Sequence, residues 1–485
     1  MLTILLLLIP LFTAIVLIAA GNKLARTIAL GGALLELGVA VAAMLMLQQG
    51  NASQLVTVNY PWIASLGISF SFSIDGISML MVVLAALLLP IIVFSSFNKT
   101  YNNAHILYAL IMLMMTAMIG VFTTTDGFMF YIMWELSLIP IYFIILVWGG
   151  DNRQKITFKF FIYTLFGSLF MLLALIYVYL QMPEASRTFD IQALYQAGRL
   201  LSVTEQGLVF AAFFLAFAVK MPIIPFHSWQ PSTYYTAPTP GVMMLSGIMA
   251  KMATYGLIRW VLPMVPAGIA EYGHYGVTLS VISIIYASCI SIVQKDFKYL
   301  IAYASIAHIG LISAGILSGN IQSLQGSLIE MLSHGINTVG LFIAYDIIYK
   351  RTGTSEMSKL GGIRAIDSSF AFMFFIVILS VVALPFTTGF VGEFLLILGL
   401  FTSYPIAGSV AGLSIILGVV YMFRSFQKMM LGESSSHILS LPKLDQQEKI
   451  SLTIIVVLII GLGVYPKPIL DITENAVTTL LEGIK

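Results

Sequence analysis

Gly241-Val-Met-Met-Leu-Ser-Gly-Ile-Met-Ala-Lys251-Met-Ala-Thr-Tyr-Gly-Leu-Ile-Arg-Trp-Val-Leu-Pro263 is an apolar run with a lysine at its centre. As a helix, a run of about 20 apolar residues crosses the roughly 30 Å hydrocarbon core of a bilayer. Lys251 lies ten residues after Gly241 and twelve before Pro263. At about 1.5 Å per residue each end is about 15–18 Å away, beyond the reach of a snorkelling side chain. The charge must therefore meet water or a partner inside the protein.

The rest of the chain repeats the pattern. Of its 485 residues 59% are hydrophobic and only 9% charged, with a mean hydropathy of +0.99, against about 25% charged residues in soluble domains. About fourteen stretches meet the length criterion for a span, near 2–20, 28–47, 78–97, 106–123, 126–148, 156–181, 206–227, 239–262, 274–293, 298–318, 322–348, 369–403 with a break, 406–430 and 449–466. The expected fold is an all-α polytopic membrane protein. A net charge of +2 without a basic run argues against nucleic acid as a partner. The single cysteine, Cys289, can form no internal disulfide and hold no iron–sulfur cluster. No paired-Cys or His-Glu-x-x-His spacing points to a metal. The first apolar run starts at Met1 and its cations, Lys23 and Arg26, follow it, the reverse of a cleavable signal, so it is expected to be a retained span.

With the N-terminus placed outside, the cytoplasmic loops collect sixteen of the 23 lysines and arginines, among them Lys23, Arg26, Arg153, Lys295, Lys298 and Lys350. The outer side keeps Arg187, Arg199, Lys467 and Lys485. The positive-inside rule favours this orientation, with both termini outside. Two outer loops exceed a simple turn. Residues 68–74 alternate with period two and follow Gln54-Leu-Val-Thr-Val, which predicts a short hairpin. Phe189-Asp-Ile-Gln-Ala-Leu-Tyr in the loop 182–205 suits an interfacial helix.

Charges inside spans cost at least about 2.5–3.5 kcal/mol on insertion scales and mark ion pathways or paired sites. Glu135, in Met133-Trp-Glu-Leu-Ser-Leu-Ile-Pro140, is nine residues past Asp126, about 13 Å along a helix, too far for its short stem. Lys220 precedes Met-Pro-Ile-Ile-Pro225. On position alone it could snorkel, but two prolines break the helix, and broken membrane helices occur where they are buried or line a wet cavity. A second break, Leu384-Pro-Phe-Thr-Thr-Gly-Phe-Val-Gly-Glu393, ends on another acid. Paired interruptions point to internal symmetry around an ion site. Here they are the fourth helix of two five-helix units, 106–265 and 266–432, the second necessarily inverted. Three helices and the hairpin precede them in 1–105, and a last helix and tail follow in 433–485. His308 and His334 also fall inside spans, and imidazole is the side chain whose charge changes nearest neutral pH. Each of these groups alone could be a hydrogen-bonded helix contact; two lysines, two glutamates and two histidines together favour a proton relay. Glu330 lies one turn before His334 on the same face, with both a relay and an interfacial place open to it, and His227, Arg259, Asp126 and Asp296 are close to span ends, where solvated or interfacial roles are the expectation rather than relay.

These residues fall in segments that resemble a known family. The segments are Phe72-Ser-Ile-Asp-Gly-Ile-Ser78, Trp134-Glu135, Lys220-Met-Pro-Ile-Ile-Pro-Phe-His-Ser-Trp229, Ala237-Pro-Thr-Pro240, Gly247-Ile-Met-Ala-Lys251, Ser305-Ile-Ala-His308, Ser333-His-Gly335, Leu360-Gly-Gly362 and Gly389-Phe-Val-Gly-Glu393. The chain is similar along nearly its whole length to the antiporter-like subunits of bacterial proton-translocating NADH:quinone oxidoreductase, respiratory complex I. That family is shared with Mrp-type cation/proton antiporters. Glu393, where the N- and L-type subunits generally have lysine, and the tail Gly463-Val-Tyr-Pro-Lys-Pro468 resemble the M type.

The resemblance implies fourteen transmembrane helices holding two inverted five-helix repeats, each with a broken helix. It implies a Glu135–Lys220 pair tuning a first half-channel, Lys251 as central carrier, His308 and His334 as relay and Glu393 as the terminal acid. It also implies no cofactor in this chain, with NADH, FMN, iron–sulfur clusters and quinone in partner subunits. The implied setting is the bacterial inner membrane, beside N-type and L-type neighbours and the lateral helix of the L type. The chain departs from the family pattern at Gln230-Pro-Ser-Thr-Tyr234, which lacks an acid and a histidine, and at Phe386, where glycine is common. An Mrp-type antiporter subunit and the membrane subunit of a hydrogenase-type complex are the alternative expectations.

Overall fold

The computed structural model of the chain describes residues 2–49, 58–433 and 442–484. Among them thirteen helices are long and apolar enough to cross a membrane. Two shorter apolar helices, Ser368–Val381 and Thr388–Ser403, are separated by residues 382–387 and together make one interrupted crossing. The all-α polytopic reading thus holds. The helices Gly76–Ser95, Ala104–Thr123, Phe297–Leu317 and Ile321–Thr352 bury most of their surface, and the span Thr239–Met264 is the most deeply buried. Leu2–Ala20, Ala25–Gln48, Pro405–Met430 and Gln446–Val464 lie at the periphery, with most of their apolar surface turned outward.

Acids at the span ends start the helices. Asp75 opens Gly76–Ser95 in a reciprocal cap with Ser78. Asp126 accepts from the N–H groups of Phe128 and Met129, and Asp296 from those of Lys298 and Tyr299. A carboxylate there satisfies free backbone donors and faces the positive end of the helix dipole. Asp126 and Asp296 are therefore caps rather than solvated surface acids.

Both interruptions appear where prolines forbid a continuous helix. Val203–Lys220 stops at Met221 and the chain resumes as Gln230–Thr236. The loosened backbone finds side chains: Trp229 Nε1 donates to the Val219 carbonyl at 2.8 Å, and Ile224 N donates to Ser283 Oγ at 2.8 Å. At the second break Ala383 and Phe386 adopt positive φ of 55° and 71°, a left-handed conformation that costs an L-residue roughly 1–2 kcal/mol. The departure at 386, phenylalanine where the family commonly has glycine, thus falls on a residue whose backbone favours glycine. In residues 106–265 and again in 266–432, the interrupted crossing is the fourth of five.

The span Thr239–Met264 contains two wide π-helical segments, Leu245–Met249 and Leu257–Val261, on either side of Ala250–Gly256. Such segments are rare and gather at functional sites.

At one end of the bundle the strands Val58–Ile63 and Ile68–Phe72 form the expected antiparallel hairpin, pairing Val58 with Phe72 and Tyr60 with Phe70. Its first strand is described from Val58, and residues 54–57 of the expected strand lie outside the described residues. The expected interfacial helix is Ile191–Arg199, capped by Asp190. The tail is more ordered than its sequence announced. Lys467–Glu482 is a further helix whose buried residues Ile469, Thr473, Val477 and Leu481 recur every fourth position. It packs on Gly76, where a Cβ would stand 2.0 Å from the Ile472 carbonyl oxygen.

Candidate functional site

Lys251 sits on the seven-residue α-helical segment between the two π turns, 1% exposed. Its Nζ lies 2.6 Å from the Ser246 carbonyl oxygen and 2.6 Å from His334 Nδ1. That carbonyl belongs to the π segment Leu245–Met249. His334, 2% exposed, comes from the long helix Ile321–Thr352, and its ring centroid is 5.9 Å from that of His308. His308 Nδ1 lies 3.0 Å from Glu393 Oε1 and 3.7 Å from Glu330 Oε1. Lys251, His334, His308, Glu330 and Glu393 thus form one row through the interior.

The row draws on four elements. Glu393 follows the second break directly, on the helix Thr388–Ser403. Gly392 and Gly326 allow that helix to lie against Ile321–Thr352: a Cβ at Gly392 would stand 2.7 Å from Glu330 Oε2, and one at Gly326 would stand 2.5 Å from Leu396 N. Small residues at these two positions bring Glu330 and Glu393 to the same histidine.

Glu330 is the main addition to the sequence reading. Left open there between relay and interface, it is 1% exposed and stands within the cluster. One ligand atom from each of His308, Glu330 and Glu393 lies within 4.8 Å of the others. Such a set can share protons or close around a small cation. Glu330 Oε2, His308 Nε2 and His334 Nε2 have no hydrogen-bond partner among the described residues. These three residues line a small cavity together with Ser305, Asn337 and Thr338 and with apolar Ile301, Leu341 and Val381, and unsatisfied polar groups gathered at one space suit ordered water.

Lys220 and Glu135 form a second group. Lys220 is 3% exposed, donates to Ser137 Oγ at 3.1 Å, and its Nζ lies 4.2 Å from the centre of a Trp134 ring, an attractive cation–π arrangement. Its hydrogen bond goes to Ser137 and not to Glu135, two residues earlier on the same span. Glu135 is half-buried, and its Oε1 has no hydrogen-bond partner among the described residues. The two groups share a neighbourhood without a direct contact.

Other charges part from their sequence reading. Lys298, counted among the loop cations, is 5% exposed and donates to the carbonyls of Tyr235 and Ala237 at 2.7 and 2.8 Å, closing the end of Gln230–Thr236. Gln230, in the departing segment, is buried and donates to the Ala302 carbonyl at 3.2 Å. His227 is half-buried with its ring edge-on to Tyr286. Arg259 is largely buried and paired with Asp75 at 2.5 Å. Glu36, on Ala25–Gln48, is 0% exposed with neither carboxylate oxygen hydrogen-bonded among the described residues; no motif surrounds it, and only its place in an apolar run marks it.

Known proteins are similar to this chain in sequence and in fold. A profile for the transmembrane family described as NADH:quinone oxidoreductase/Mrp antiporter matches residues 124–418. The NADH-quinone oxidoreductase subunit M of Rickettsia conorii is 40% identical over 423 residues, covering 87% of this chain and 85% of that protein. A chain of respiratory complex I from Thermus thermophilus superposes with a TM-score of 0.91 at 27% identity, covering all of both chains. A chain of the Mrp complex from Dietzia superposes with a TM-score of 0.87 at 21% identity, covering 100% of this chain and 98% of that one, a likeness of fold alone.

Proposed function

The chain belongs to the NADH:quinone oxidoreductase/Mrp antiporter family, and from that premise we propose that it is a proton-translocating, M-type subunit in the membrane arm of an NADH:quinone oxidoreductase. Electron transfer belongs to partner subunits, which are expected to hold FMN, iron–sulfur clusters, NADH and quinone. Its neighbours would be the N-type and L-type antiporter-like subunits and the lateral helix of the L type. Residues 106–265 and 266–432 act as two inverted repeats, and the positive-inside rule places the hairpin and both termini outside the inner membrane.

The chemistry follows from burial and proximity. In this reading Lys220 holds a proton while the nearby Glu135 carboxylate favours the ammonium form. A change in a neighbouring subunit weakens that influence, and desolvation then drives the proton toward Lys251. The lysine and His334 hold one proton on the line between their nitrogens, and His308 continues the row to Glu330 and Glu393. Groups this close titrate as a set, so the row takes up and releases protons collectively.

The observation that carries the reading is the close-set interior row in which Lys251 meets His334 at 2.6 Å, the His308 ring lies 5.9 Å from that of His334, and His308 meets Glu393 at 3.0 Å. Its test is Lys251→Met in the assembled complex, measured as protons pumped per electron in sealed vesicles during NADH oxidation. A fall in that ratio with assembly intact supports the relay. An unchanged ratio overturns it.

A further inference from the structure

A cavity of about 1050 Å³ lies between the tail helix and the body of the protein, on the hairpin end of the bundle. Among its lining residues are Asp75, Tyr195, Arg199, Arg259, Asp471 and Asn475. Arg259 lines this cavity from the span that carries Lys251, eight residues away, or about 12 Å along a helix. Between them the cavity does not continue: Met252, Tyr255, Leu257 and Ile258 are each at most 1% exposed. Arg259 thus stands where the wet space ends and the sealed part of the helix begins.

The guanidinium is held there from several directions. It bonds Asp75 Oδ2 at 2.5 Å and Tyr255 OH at 3.2 Å, and Tyr255 donates in turn to the Phe122 carbonyl at 2.8 Å. Tyr195 donates to the Arg259 carbonyl, and Arg199 Nε donates to the Pro263 carbonyl at 2.7 Å. Its own backbone lies in the π segment Leu257–Val261.

We propose that Arg259 is an electrostatic stopper, closing the hairpin-side cavity against proton exchange with Lys251 and leaving the lateral route through His334 as that lysine's path. A guanidinium stays protonated, so it accepts no proton and passes none on. A fixed positive charge at the end of a water-filled space is also a barrier to cations and protons. Asp75 anchors it: burial alone would raise this carboxyl, but the Arg259 charge and the bonds from Arg259 and Ser78 bring it below its ordinary value. At neutral pH the pair is therefore one fixed anion and one fixed cation. The stopper rests on Lys251 being a proton site, and it explains how a lysine so near a wet cavity avoids short-circuiting.

The test uses the assembled complex in sealed vesicles with a trapped pH dye and no electron donor, so that only passive proton entry after an acid pulse is read. Arg259→Gln is expected to raise entry at least about tenfold, which corresponds to about 1.4 kcal/mol of lost barrier, while Arg259→Lys keeps the charge and stays near the parent. A tight Arg259→Gln vesicle overturns the proposal. So does an Arg259→Lys leak equal to that of Arg259→Gln, since packing and not charge would then set the seal. If Arg259→Gln does not assemble, Arg259→Met decides: it keeps an unbranched stem and removes the charge. A leak supports the stopper, and a vesicle as tight as the parent overturns it. Because no turnover is involved, failure here leaves the Lys251 pumping result standing, and failure of the relay leaves the leak readable.

Discussion

Lys251 Nζ lies 2.6 Å from His334 Nδ1, on side chains 83 positions apart in sequence and both buried. At that separation the line between the nitrogens has room for one proton. Replacing His334 by Gln removes the titratable imidazole and leaves a side chain that can still hydrogen-bond but takes up no proton. Proton flux through this chain is expected to fall by about a hundredfold or more, the loss that accompanies removal of a positioned acid–base group. Pumping measured per electron, with subunit stoichiometry checked, is the readout, and parent-like flux would show that the contact is structural.

Gly392 is where Thr388–Ser403 meets Glu330. A methyl there would stand 2.7 Å from Glu330 Oε2 and 2.8 Å from the Glu330 backbone nitrogen. Backbone cannot yield as a side-chain tip does, so Gly392→Ala is expected to cost about 1–3 kcal/mol as overpacking. It should lower the thermal stability of the assembled subunit and push Glu393 away from His308. An unchanged melting temperature would mean that the two helices separate at no cost.

Asp75 gives a pH dependence of definite sign. Its carboxyl, raised by burial but lowered further by Arg259 and Ser78, titrates below its ordinary value. The resulting stability is present above the unfolded carboxylate pKa of about 3.9 and is lost as pH falls through the depressed folded value. Melting temperature followed through acid pH should therefore show a component in the parent that Asp75→Asn lacks. Identical acid profiles would exclude Asp75 as its source.

Glu36 is buried with both oxygens unpartnered among the described residues. A buried polar group without a partner costs about 1–3 kcal/mol, so Glu36→Leu, of similar size, should stabilise the protein by about that amount at neutral pH. A stability loss in thermal unfolding would show that the carboxyl has a partner that the leucine cannot replace.

What could be read from sequence was depth. Hydropathy placed Lys251, His308 and His334 far from either membrane face, and prolines marked both interruptions, because length and backbone chemistry are local properties. Which way a side chain faces is not local. Glu330 stayed open in the sequence because Ile321–Thr352 spans 32 residues, longer than a bilayer requires, so distance from its start says little about burial. Lys298 looked like a loop cation because it follows Asp296 at a helix start; only the carbonyls of Tyr235 and Ala237, brought from another part of the chain, draw it inside. That the Lys220 hydrogen bond goes to Ser137, with Glu135 close by, depended on side-chain direction, which the sequence does not give.

The two π turns around Lys251 give its helix slack. Each contains one residue more than an ordinary turn would hold. A one-residue deletion between 245 and 249, or between 257 and 261, can close to regular α geometry and leave the flanking faces in phase. The same deletion inside Ala250–Gly256 would rotate Lys251 by about 100° and take it off His334. Length variation in this span should therefore be tolerated at its two wide turns and nowhere between them.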